Sequence, residues 1–143
     1  MNISEAGLEL IREHEGCRLE SYQDSVGIWT LGFGHTKGVK RGDICTAEQA
    51  EAWLAEDVKT AEQCIEANVT VPLTQGETDA LGSFIFNLGC RAFKNSTLLR
   101  KLNEADYDGA AAEFKRWDHA GNVQLAGLTA RRKAEADMFE TTA

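Results

Sequence analysis

The chain has 143 residues, about the size of one domain and enough to bury a real core. Its formal charge of -8 is uneven: residues 1–70 carry thirteen acids against six bases, residues 71–143 ten against nine. That balance excludes nucleic acid as a partner and leaves only local basic groups, Lys37, Lys40 and Arg41 or Arg91, Lys94, Arg100 and Lys101, for a polyanionic surface.

No basic segment followed by an apolar run opens the chain, and no window nears the ~18 apolar residues of a membrane span. The expectation is a soluble protein with no export signal and no stable membrane insertion. Cys17, Cys45, Cys64 and Cys90 lack the CxxC or Cys/His spacing of a zinc site, so no metal is expected. Their even count permits two disulfides, but nothing else resembles a disulfide scaffold, and the four read as free thiols.

In chain order, residues 3–15 place Ile3, Ala6, Gly7, Leu10, Ile11 and His14 at helical spacing, with Asn2 or Ser4 as N-cap and Gly16 as the stop. Glu15 therefore falls in the last turn, where the helix dipole disfavours an ionised carboxylate and burial would disfavour it further. From Leu19 to Thr36 the residues become β-prone, with Asp24, Ser25 and Gly27 forming a turn. The spacing predicts an antiparallel hairpin or three-stranded sheet ending near Asp43. Gly32, Gly34 and Gly38 suit positive φ or close backbone approach, needed by a ligand groove and by tight hairpins alike.

Thr46 and Gln49 form a capping box ahead of a helix of about 20 residues, whose Glu48, Glu51, Glu56, Asp57, Glu62 and Glu66 read as a solvated acidic face. After Pro72, Thr74 and Glu77 cap a helix through Leu88 that Gly89 closes. Amphipathic segments at Ser96–Glu104, Asp106–Ala120 and Leu128 to about Glu140 follow, the last two separated by a Gly- and Asn-rich loop. The reading is α+β, mainly α. It is one domain spanning 1–143, with a small antiparallel β-containing lobe at about 15–45 joined by the long helix to a helical lobe made of about 68–143 plus the N-terminal helix.

Glu15, Asp24 and Thr30 are each ordinary surface residues when taken singly. Together they supply what glycoside hydrolysis requires: a carboxylic acid to protonate the leaving oxygen, and an ionised carboxylate across the sugar to stabilise charge or activate water. Trp29, Trp53 and Trp117 read as core or edge packing, Trp29 being the candidate exception beside Thr30.

The stretch EGCRLESYQDSVGIWTLGFGHT at 15–36 resembles the catalytic segment of the phage-type lysozymes, the endolysins of glycoside hydrolase family 24. Its pattern is E, eight residues, D or C, five residues, T, then a G-x-G-H-T-like run. The resemblance continues through FIFNLG at 84–89, STLLRKLN at 96–103, FKRW at 114–117 and GLTARRKAE at 127–135, and so covers essentially the whole chain. It implies a lysozyme-like fold and hydrolysis of the β-1,4 bond between N-acetylmuramic acid and N-acetylglucosamine in bacterial peptidoglycan.

By that resemblance Glu15 is the general acid, while Asp24 stabilises the oxocarbenium-like transition state and with Thr30 orients the attacking water, giving inversion. His35 braces the sheet or contacts substrate. Phe86 and Asn87 face the groove, the amide suited to an N-acetyl group. Arg131 reaches the catalytic glutamate, opposing the helix-end effect on its protonation, and Arg132 is solvated. The implied enzyme is a monomer without metal or cofactor, dependent on a holin, passing from host cytoplasm to periplasm and cell wall at lysis. The acidic charge departs from the family's many basic members and bears on wall affinity. Two rivals stand beside it: a lytic transglycosylase, which typically relies on one glutamate, and a catalytically dead murein-binding domain.

Overall fold

The computed structural model describes residues 2–120 and 122–141. Its first helix, α1 (Glu5–Glu15), leads through Gly16 and Cys17 into β1 (Arg18–Gln23), which pairs antiparallel with β2 (Trp29–Gly32) in the register Tyr22 with Thr30 and Gln23 with Trp29. The predicted third strand is reduced to isolated bridges, Glu20 with Ile44 and Leu31 with His35. A 22-residue helix, α2 (Ala47–Asn68), leaves this sheet with the predicted capping box intact, Thr46 accepting from the Gln49 amide at 3.1 Å and Gln49 accepting from the Thr46 amide at 3.0 Å.

The helical core is built on α3 (Gln75–Leu88), which is buried from Gly76 through Ile85. Its Thr74–Glu77 capping box also forms. Helices α1, α2, α4 (Cys90–Lys94) and α7 (Ala126–Phe139) pack against it, while α5 (Thr97–Asn103) and α6 (Tyr107–Glu113) pack on each other. Helix α1 crosses α3 closely because Ile3 fills the space beside two glycines: a Cβ on Gly82 would lie 2.3 Å from Ile3 Cδ1, and one on Gly7 2.7 Å from Ile3 Cγ2. Phe84 is the core's centre, with Phe93, Phe114 and Trp117 packed edge-on against its ring.

Sequence expectations need correction at three places: the segment from 106 to 124, the cysteines and the acidic face of α2. The helix foreseen over 106–120 stops at Glu113, passes through a 3-10 turn at Phe114–Arg116 and becomes a strand, β3 (His119–Ala120), paired with β4 (Val123–Gln124) where a loop was expected; Gly121 of that loop lies outside the described residues. Asp118 is the cause, because its carboxylate accepts from Gln124 at 2.7 Å and Thr129 at 3.3 Å while its carbonyl takes the Leu125 amide. Ser4 takes the expected N-cap position of α1, its carbonyl accepting the Leu8 amide at 3.0 Å, while its hydroxyl donates to Asp79 of α3 and not to a helix amide.

The cysteines are not all free. Cys64 near the end of α2 and Cys90 at the start of α4 have Cα atoms 5.9 Å apart and form a disulfide, leaving Cys17 and Cys45 as thiols. The acidic face of α2 is also only partly a solvated one. Glu51 binds Arg12 of α1, Glu62 accepts the Ile3 amide at 2.6 Å and Asp57 holds His35, so these carboxylates tie α2 to the N-terminal segment and the sheet.

Candidate active site

Glu15 is the last residue of α1, and its side chain is 17% exposed. Arg131 of α7 donates from Nη1 to Glu15 Oε2 at 2.7 Å. From the sheet side, Gly34 approaches the same carboxyl: a Cβ there would stand 2.7 Å from Oε1 and 3.6 Å from Phe86 Cε1. Its φ of +74° is one an L side chain rarely takes, so glycine is required twice over. Glu15 is thereby fixed between the β-lobe and the helical core.

Asp24 and Thr30 ride on the hairpin that begins three residues after Glu15. Asp24 forms an Asx turn, its Oδ1 accepting from the amides of Val26 at 3.0 Å and Ile28 at 2.8 Å, with Oδ2 free of any partner among the described residues. Thr30 is buried, and its hydroxyl donates to the Ile28 carbonyl at 3.0 Å. Both side chains are thus referenced to one residue, Ile28. Each keeps acceptor capacity, Asp24 through Oδ2 and Thr30 through the remaining lone pairs of its oxygen.

His35 goes elsewhere. Its ring stacks on Trp53 with centroids 4.5 Å apart and planes 8° from parallel, and Nδ1 lies 2.8 Å from Asp57 Oδ2. Its backbone closes the turn that carries Gly34, exchanging both hydrogen bonds with Leu31. Trp53 therefore packs at an edge, as expected, but against this histidine.

Behind Glu15 lies a buried polar cluster that sequence reasoning missed. Arg131 also donates from Nη2 to the Ser83 carbonyl at 3.2 Å and from Nε to Glu135 Oε2 at 3.3 Å. Ser83 donates to the same Glu135 oxygen at 2.5 Å. Arg132, expected in solvent, is fully buried: Nη2 donates to Asn87 Oδ1 at 2.6 Å, Nε stands 3.0 Å from Glu135 Oε1 off the hydrogen-bonding direction, and the guanidinium lies 5.2 Å from the Phe84 ring centre.

Burial pushes the Arg132 guanidinium down to about 10 and the Glu135 carboxyl upward, each resisted by the other's charge. His14, one residue before the acid, is pushed down by burial and by the Arg131 charge.

A groove of about 250 Å³ opens beside this assembly, lined by Gly34, Thr36, Lys37, Asp57, Thr60 and Phe86 among others. A larger cavity of about 530 Å³ lies where α1, α3 and α7 meet and is lined by none of the predicted site residues. No group of three or more metal-ligating side chains converges among the described residues, and no described helix is long and apolar enough to cross a membrane.

The sequence model described as phage lysozyme matches residues 12–135. The endolysin of Acyrthosiphon pisum secondary endosymbiont phage 1 is 49% identical over 145 residues, covering 99% of each chain. That of Salmonella phage P22 is 43% identical over 141 residues, covering 95% of this chain and 97% of its own. Among solved structures, the muramidase domain of SpmX from Asticaccaulis excentricus superposes with a TM-score of 0.92 at 40% identity, covering 98% of both chains.

Proposed function

The chain belongs to the phage lysozyme family, and from that premise we propose that it is an endolysin, a muramidase-type glycosidase that hydrolyses the β-1,4 bond between N-acetylmuramic acid and N-acetylglucosamine of bacterial peptidoglycan. The observation that carries this reading is the Arg131–Glu15 bond at 2.7 Å, with Gly34 packed on the same carboxyl. A single acid held between two lobes beside a groove suits proton donation to a glycosidic oxygen.

The remaining roles follow from donor and acceptor inventory. In this reading the attacking water would donate to Asp24 Oδ2 and Thr30 Oγ1, the acceptors their bonds with Ile28 leave open, so that both its hydrogens are engaged and a lone pair is turned toward the sugar. In the proposed reaction Glu15 gives its proton to the leaving oxygen as the bond to the anomeric carbon breaks. Water adds from the opposite face and Asp24 takes its proton, so the configuration inverts. The Asn87 amide, with its oxygen turned to a donor-only arginine, presents its NH2 to the acetamido carbonyl, and Phe86 lines the groove. His35 serves the site by bracing the turn that carries Gly34.

Action as a monomer without metal or cofactor, and access from the host cytoplasm to the wall through a holin lesion, belong to the same proposal. The test is turbidity clearing of chloroform-treated Gram-negative cells by wild type and Glu15→Gln. Wild type clears and the folded variant does not, while the released glycans carry reducing ends of inverted anomeric configuration. Ends bearing 1,6-anhydro-muramic acid would sink hydrolysis, and binding to sacculi without clearing would leave only a murein-binding domain.

A further inference from the structure

We propose, resting on the hydrolytic reading above, that Glu135 is a positioning residue for the reaction: it balances the charge of the adjacent Arg131 and Arg132, so that Arg131 can orient Glu15 without driving off its proton. Glu135 touches no position where substrate could sit, being fully buried under α3. It acts through the two arginines on its own helix and through Ser83.

Every polar neighbour of Glu135 is a donor. Ser83 Oγ, Arg131 Nε and Arg132 Nη2 converge on Oε2 at 2.5, 3.3 and 3.4 Å, and Arg132 Nε approaches Oε1 at 3.0 Å. Arginine has no acceptor, so only a carboxylate satisfies this arrangement. Ser83 must spend its proton on Glu135, which leaves its lone pairs facing Arg131 at 3.3–3.4 Å and fixes the roll of that guanidinium toward Glu15.

The groups around the acid come from three elements: Glu15, His14 and the exposed Glu13 on α1, the uncharged Ser83 and Asn87 on α3, and the buried Arg131, Arg132 and Glu135 on α7. With His14 neutral, two guanidiniums face two carboxylates. Without Glu135, the positive charge of both arginines would bear on Glu15 alone, opposing the neutral carboxyl that proton donation requires.

The experiment is the pH profile of clearing by the intact chain, comparing wild type with Glu135→Gln, Arg132→Met and the double variant, alongside far-UV circular dichroism. Removing the negative charge moves the alkaline limb down by about one pH unit, and removing the positive charge moves it up. The double variant, with charge again balanced, returns the limb to the wild-type position although its packing is the most disturbed. A purely structural role lowers amplitude in all three without opposite displacements, and limbs that coincide would overturn the proposal. Should Glu135→Gln fail to fold, Arg132→Met and the double variant still give distinct predictions, a limb displaced upward in the first and a limb at the wild-type position in the second. Failure of wild type to clear cells at any pH would instead remove the hydrolytic reading itself.

Discussion

Gly34 and Glu15 stand so close that a methyl group on the glycine would lie 2.7 Å from the carboxylate's Oε1. Because Arg131 holds the other oxygen, the carboxyl can retreat only by breaking that bond. Gly34→Ala therefore combines two effects, a positive-φ penalty of about 1 kcal/mol and displacement of the acid. Gly38 has the same φ of +74° with nothing within 4 Å, which makes Gly38→Ala the control for backbone strain alone. Both variants should lose similar stability in urea titrations, but clearing should fall about tenfold or more only in Gly34→Ala. Equal activity in the two would mean that the glycine serves the turn and not the acid.

The cysteine inventory is directly countable. Non-reduced, denatured protein should show two reactive thiols, from Cys17 and Cys45, and four after reduction. In the folded protein Cys17 should be alkylated first, because it is exposed whereas burial pushes the Cys45 thiol up and lowers its thiolate fraction. The Cys64–Cys90 link closes a loop across 26 positions, for which chain entropy predicts about 3.5 kcal/mol. Replacing both by alanine should lower Tm by about 10 °C with activity at low temperature retained. Four thiols before reduction would exclude the bond.

What could be read from the sequence was what is local in the chain. The capping boxes at Thr46 and Thr74 are short local patterns, and the residues proposed as catalytic keep a fixed spacing because α1, β1, the Asx turn and β2 are consecutive. The disulfide joins two helices 26 residues apart with no spacing signal. Arg132 and Glu135 sit in ARRKAEAD, a run charged on every side, in which Arg131, Arg132 and Glu135 are buried while Lys133 and Asp137 are exposed. Only the seat of α7 against α3 separates the two sets.

His14 offers a pH-dependent test of stability. Burial and the Arg131 charge push its imidazole below its ordinary 6.5, with Glu13 and Glu15 opposing. The folded protein thus refuses a proton that the unfolded chain accepts, so stability falls as pH drops through the unfolded value and levels off below the folded one. Between about pH 7.5 and 5.5, Tm of the wild type should decline more steeply than that of His14→Gln. Parallel declines would show that His14 takes up its proton equally in both states.

His35 can be assigned to bracing or to substrate contact by coupling it to Trp53. The stacked pair, with ring centroids 4.5 Å apart, and the 2.8 Å approach to Asp57 anchor the Leu31–His35 turn on α2, and a buried ring of this kind contributes through packing with its partner. Each single variant, His35→Ala and Trp53→Leu, should lower the urea midpoint. Because each removes the same contact, the double variant should be less destabilised than the sum by about 0.5–1.5 kcal/mol. A substrate contact predicts the reverse pattern, a raised KM in His35→Ala alone and no coupling in stability. Bracing also predicts that both variants impair clearing in the same way, since the turn they release is the one that presents Gly34 to Glu15.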